Sequence, residues 1–217
     1  MSITIAQRSH VSQAFVQDLG VVLDNTLSLS QQSHSVTRPA FSYLRVISRI
    51  RRDITARHCK LLVDSLVFSR TDYCSALYFG ISKSQLQKLQ MVHNAAYRLV
   101  MRLPKYSRVN DSQRECRWLT VKQRIIHRIL SIVYEATHGR SASYIHELLA
   151  PRSVSSRMLR SYDLHLLDVP RVKTEFAKKA FSVCGPRLWN DVPMVIREAR
   201  SLTCFLDGLN NYLLALV

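Results

Sequence analysis

The sequence predicts a mainly α fold: a short N-terminal β-strand pair, then a basic helical bundle, then a helical C-terminal extension. Three observations predict it. Apolar residues recur at spacings of three and four through most of the chain, the period of one helix face. Five Gly and six Pro in 217 residues are too few for a loop-rich or all-β protein. An apolar content of 47% supplies a core and argues against a disordered chain. The expected segments are 1–35, 36–110 and 111–217.

Residues 3–5 and 18–24 read as the two short strands, with Val21, Val22 and Leu23 suited to a half-buried pleated surface. Residues 25–35 are polar and read as a loop or a frayed helix start. Thr37 and Pro39 are expected to open the first convincing helix, as cap and early-turn proline. Leu44, Ile47 and Ile50 should face inward, and Arg38, Arg45, Arg49 and Arg52 project onto the opposite side. That stripe would run roughly 20 Å along the axis.

Thr55 to Leu103 reads as two helices joined by a tight turn at Gly80. In the second, Leu86, Leu89, Val92, Ala96, Leu99 and Leu103 share one side. Gln87, Asn94, Arg98 and Lys105 lie opposite, with Lys83 and Arg102 at the edges. Ser84 is the expected N-cap, Gln87 completes a capping box, and Pro104 stops the helix.

After a turn-rich linker, Trp118 and Leu119 should anchor a helix capped by Thr120 and ended by Gly139. Val121, Ile125, Ile129 and Ile132 make its core stripe, and Arg124, His127 and Arg128 face away. A short helix stops at Pro151, and residues 152–175 are the least regular part. Ala180 to Pro193 is expected to be compact and turn-forming. An amphipathic helix from about Ser201 closes the chain, with Leu202, Phe205, Leu209, Tyr212, Leu213 and Leu216 on its apolar side.

The net charge of +16 is unevenly distributed. Residues 36–110 hold 14 Lys and Arg against 3 Asp and Glu, whereas residues 1–35 hold 1 against 2. A cationic middle points to a polyanionic partner, with a solvated basic face as the bland alternative. Arginine predominates, which suits bidentate phosphate contacts.

Motifs for chemistry are missing. The sequence has no phosphate-binding Gly-rich loop of the Walker type, no nucleophile elbow and no zincin motif. Its acidic residues are sparse, and Asp18 and Asp24 stand six apart around a strand. The five cysteines are scattered without zinc-ligand spacing and read as reduced thiols. No catalytic residue, metal or cofactor is expected. No apolar leader follows the N-terminus and no run is long enough to span a bilayer, so an intracellular protein, nuclear or cytoplasmic, is expected, with no membrane contact.

Several stretches match one family pattern together, in family order. They are Asp18 to Asp24; Ser69 to Cys74 with Phe79-Gly80; Lys88-Leu89-Gln90 with Asn94-Ala95-Ala96; and Trp118-Leu119 with Val121 to Ile125. Leu159-Arg160-Ser161, Val169-Pro170-Arg171, and Ala180-Phe181-Ser182 through Gly185 to Asn190 complete the set. In these residues the chain resembles the C-terminal part of the reverse transcriptases of LINE-type non-LTR retrotransposons, in the jockey-like group. The resemblance implies a strand pair at the end of a palm, then a helical thumb that grips a template–primer duplex, then a helical extension. The family's catalytic aspartates lie in a Tyr/Phe-Ala-Asp-Asp motif that this sequence does not contain.

The expected function is therefore a nucleic-acid-binding thumb-like fragment of an RNA-directed DNA polymerase, without polymerase activity on its own. An RNA–DNA hybrid or other A-like nucleic-acid duplex is the natural ligand, held through phosphate contacts. The expected contact residues are Arg38, Arg45, Arg49, Arg52, Lys83, Arg98, Arg102 and Lys105, with Arg124 and Arg128 as weaker members. The alternatives are a helical protein-interaction module repurposed from the same element and a functionless remnant.

Overall fold

The computed structural model describes residues 2–5, 8–11, 14–109, 113, 116–152 and 165–216. The chain forms two compact units, Met1–Cys74 with Ile81–Val109, and Ser75–Gly80 with Asn110–Val217. The fold is mainly helical, with antiparallel strands near the N-terminus, as the sequence predicts. Leu159-Arg160-Ser161 and half of the irregular stretch 152–175 lie outside the described residues.

In the first unit, β1 (Ser2–Ile5) pairs with β2 (Arg8–Val11), and β3 (Phe15–Asp18) pairs with β4 (Val21–Asp24). The strand expected over residues 18–24 is thus the turn and second strand of a hairpin that begins at Phe15. Leu19 and Gly20 both take positive φ, 43° and 80°, the geometry a two-residue hairpin loop needs.

Helix α1 (Ser30–Ile50) begins seven residues before the expected Thr37 and carries Pro39 inside it. The early start has a local cause. The Asp24 carboxylate accepts from the backbone N–H groups of Thr26, Ser28 and Leu29 at 3.1, 2.9 and 2.8 Å. This closes the turn and delivers Leu29, in the left-handed region, to the helix start. Gln32 is buried and its Oε1 accepts from Val22 N at 2.8 Å, tying α1 to β4. Of the polar run read as a loop or a frayed helix start, residues 30–35 are a helix start, with Gln32 bonding inward to β4. Leu44 and Ile47 are buried as expected, but Ile50 is 44% exposed because it lies in the last turn.

Helix α2 (Ala56–Val63), capped by Thr55, passes into a π-helical segment Asp64–Phe68 and a final α-turn Ser69–Thr71. Cys74 then takes φ 50°, and the 3₁₀ turn Ser75–Tyr78 belongs to the second unit. The two expected helices are therefore joined by more than a tight turn. Helix α3 (Lys83–Met101) is capped by Ser82, two residues before the expected Ser84. Ser82 and Gln85 form the capping box, and Arg102 in the left-handed region ends the helix ahead of Pro104. Residues His34 and Lys88 meet at one end of α1 and α3, and Arg51 meets Leu99 and Val100 at the other. The two helices therefore run parallel, with α2 packed on both.

The second unit is built on α4 (Val121–Thr137), capped by Thr120 with Gln123 in a capping box. A single-turn helix α5 (Ser143–His146) follows. Residues 181–191, expected as turns, form helix α6 (Phe181–Asp191) with Pro186 inside. Packing overrides propensity there: a Cβ at Gly185 would come within 3.2 Å of the Val133 side chain, so glycine lets α6 lie close on α4. After α7 (Met194–Arg197), helix α8 (Leu202–Ala215) buries Phe205, Leu209 and Leu213, while Leu216 is exposed. Tyr134 stacks on Phe205 with centroids 4.3 Å apart, and Trp189 packs beside Phe205 at 5.8 Å. The Trp189 indole N–H donates to His165 O, and the Tyr134 hydroxyl to Ala199 O, each at 2.7 Å.

Candidate nucleic-acid interface

Arg38, Arg45 and Arg49 are exposed along one face of α1, opposite buried Ala40, Leu44 and Ile47. At the α-helical rise they span about 16 Å. Among the described residues none of the three has an ion-pair partner. Arg52 is exposed too, but it lies in the turn beyond Ile50, so the helical stripe is three arginines rather than four.

The ends of α1 and α3 hold each other through two arginines. Arg51, only 7% exposed, donates Nε to Leu99 O, Nη1 to Ile54 O and Nη2 to Val100 O at 2.8, 2.9 and 2.7 Å. It satisfies carbonyls that the end of α3 would otherwise strand. Arg102 returns the contact, its Nη2 donating to Arg51 O at 3.2 Å and Arg52 O at 3.5 Å. Arg102 is thus a bracket as well as an exposed cation, and it brings Arg52 alongside. Periodicity alone missed Arg51, because an arginine beside exposed Arg52 carries no sign of burial. Beneath the pair, burial pushes the Cys59 thiol up in pKa, partly offset by the Arg51 and Arg102 charges.

Arg98, expected in a second row, is half-buried. Its Nε and Nη2 both donate to Ser107 O, at 3.1 and 3.0 Å, so it fixes the turn after α3. Lys105 is exposed on that turn. Lys83 is exposed at the first residue of α3, about 27 Å along the axis from the Arg102 end. The helix dipole disfavours a cation at that end. Two contacts between distant residues escaped sequence reading. Lys88 Nζ lies 2.8 Å from His34 Nε2, and Arg70 sits over the Tyr43 ring at 5.0 Å. Arg124 and Arg128 lie on α4 in the second unit, Arg124 half-buried and Arg128 exposed.

Asp18 and Asp24 do not converge. In the hairpin Asp24 faces Phe15 and Asp18 faces Val21, so the two aspartates stand at opposite ends of the ladder. Hydrogen bonds from the Thr26 hydroxyl and the Ser28 amide hold the Asp24 carboxyl well below the usual carboxylate range. Tyr73 donates its hydroxyl to Leu19 O at 2.8 Å and braces the hairpin turn. Among the described residues no three His, Cys, Asp or Glu side chains gather as a metal site, and no helix is long and apolar enough to cross a membrane. No family model, curated protein or solved structure matches the chain.

Proposed function

We propose that this chain is a nucleic-acid-binding module whose first unit grips the phosphate backbone of a duplex, with an RNA–DNA hybrid as the preferred ligand. The observation that carries the reading is the α1 stripe of Arg38, Arg45 and Arg49, exposed and in register. Arg52 and Lys105 extend the cationic surface beyond the helix ends, and Lys83 adds a cation at the start of α3. Arginine forks suit phosphate oxygens, and such contacts position a duplex without reading its sequence. A hybrid with A-like geometry is recognised by shape. The resemblance to the thumb region of LINE-type reverse transcriptases names the same partner, and in this reading the chain acts inside the cell without polymerase activity of its own.

The test is a titration of labelled RNA–DNA hybrid at several salt concentrations. The expected result is an affinity that falls steeply with salt, with a log–log slope of about 0.9 per neutralised phosphate on B-form duplex. Absence of binding at about 50 mM salt, or binding indifferent to salt, sinks the reading. A protein-interaction module built on the C-terminal helix has weaker support, because the apolar face of α8 is buried within its own unit.

A further inference from the structure

The turn after α3 holds one aromatic ring out of the fold. Tyr106 is 87% exposed, with no hydrogen-bond partner for its hydroxyl among the described residues. The turn beneath it is nevertheless fixed. Ser107 N and Oγ both donate to Pro104 O, at 3.1 and 2.8 Å. Arg98 clasps Ser107 O with two N–H groups, and Val109 is buried just beyond. Lys105 Nζ sits 5.3 Å from the ring centroid, so one face carries a cation while the high exposure leaves the other open. Residues 98–108 contain four Lys and Arg and no Asp or Glu.

An ordered turn that keeps a large apolar ring in water gains nothing from burial. It also prepays the ordering that a binding partner would otherwise have to supply. The chemistry that uses an open aromatic face beside cations is base stacking with backbone neutralisation. We propose that Tyr106 is a stacking platform for an unpaired nucleobase flanking the duplex, with Lys105 and Arg108 against the adjoining phosphates. The proposal rests on the nucleic-acid reading above and adds a substrate class to it: a duplex with a single-stranded overhang, favoured over a blunt one.

The full chain would be titrated against a blunt RNA–DNA hybrid and the same hybrid with a short overhang carrying 2-aminopurine. Wild type and Tyr106→Phe should favour the overhang. Tyr106→Ala should lose about 10-fold on the overhang substrate, with blunt binding unchanged and quenching of the 2-aminopurine abolished. Because Tyr106 is exposed, melting of the variants should match wild type. Equal losses on both substrates, no loss on either, or no overhang preference in wild type would overturn the stacking role and leave the duplex reading intact. Wild type that binds neither hybrid at low salt would overturn both.

Discussion

The two units hold nearly equal numbers of cations but differ in carboxylates: 15 Lys and Arg against 5 Asp and Glu in the first, 16 against 10 in the second. Charge in the second unit is more evenly balanced, with Lys178 on Glu175 and His165 at 3.7 Å from Glu198. Its interior is aromatic, with Tyr134, Phe205 and Trp189 each buried. The first unit buries aromatics as well, Phe68 and Tyr97, and each unit buries an arginine, Arg51 in the first and Arg197 in the second. The first unit adds to this the exposed arginine stripe along α1. Identical residue types therefore do opposite work a few positions apart. Arg51 is a helix-end bracket, while Arg49 and Arg52 are exposed charges.

The largest expected effect separates those two uses. Arg51→Met leaves three backbone carbonyls without their donor and should cost about 3–5 kcal/mol in urea unfolding. Arg51→Lys should recover only part, since an ammonium lacks the planar fork. In the second unit Trp189→Ala should cost a similar amount, about 3–5 kcal/mol, by opening a cavity. An Arg51→Met variant as stable as wild type would erase the distinction between bracket and stripe.

Next comes binding. Replacing Arg38, Arg45 and Arg49 together by Gln should flatten the salt slope by about 0.9 per lost phosphate contact. Stability should stay within about 0.5 kcal/mol, because exposed positions tolerate such changes. The paired change Arg124→Gln with Arg128→Gln should alter the slope by less. A larger loss from α4 than from α1 would move the interface to the second unit.

Much of this was legible in the sequence, and the failures share a cause. Periodicity found α3, α4 and α8, and capping chemistry placed Thr120 and Gly139, because those signals are local. The first two turns of α1 were ambiguous between loop and helix start because Gln32 and Ser33 are buried polar residues. Gln32 is satisfied by Val22 N on β4, a partner that a helical projection does not contain, and Ser33 by Ser30 O within the helix. Helix α6 was hidden because Gly185 and Pro186 signal a turn unless a neighbouring helix claims the space. In the candidate interface, exposure of Arg38, Arg45 and Arg49 followed from the period. The diversion of Arg98 and Arg102 to carbonyls did not, since their partners are set by tertiary structure.

With so few carboxylates, the first unit depends heavily on one of them. Asp24 is held ionised by hydrogen bonds at the entry to α1, so its folded-state pKa is depressed. Its contribution is complete above the ordinary aspartate value of about 3.9 and is lost as pH falls through the folded-state value. Asp24→Ala should cost about 1–2 kcal/mol at neutral pH, as loss of a strong cap does. Amide exchange at the start of α1 should rise on acidification in wild type and be insensitive to pH over that window in the variant, after correction for intrinsic exchange. Equal acid sensitivity in both would assign the effect elsewhere.

The smallest effect compares two capping boxes of the same design. Ser82 with Gln85 starts α3, and Thr120 with Gln123 starts α4. Ser82→Ala and Thr120→Ala should each cost about 1 kcal/mol, since each removes one cap. The glutamines should not match. Gln85 Oε1 accepts from Ser82 N at 3.3 Å, a contact local to the box. Gln123 Oε1 accepts from Thr120 N at 2.8 Å, and its Nε2 also donates to Leu213 O at 2.5 Å in a buried contact. That second bond ties the start of α4 to the end of α8, where a helix carbonyl otherwise lacks a donor. Gln123→Ala should therefore exceed Gln85→Ala by about 1 kcal/mol, the net worth of one hydrogen bond. It should also loosen the last turn of α8, read as faster amide exchange there. Equal costs would mean that Leu213 O finds water as readily as it finds Gln123.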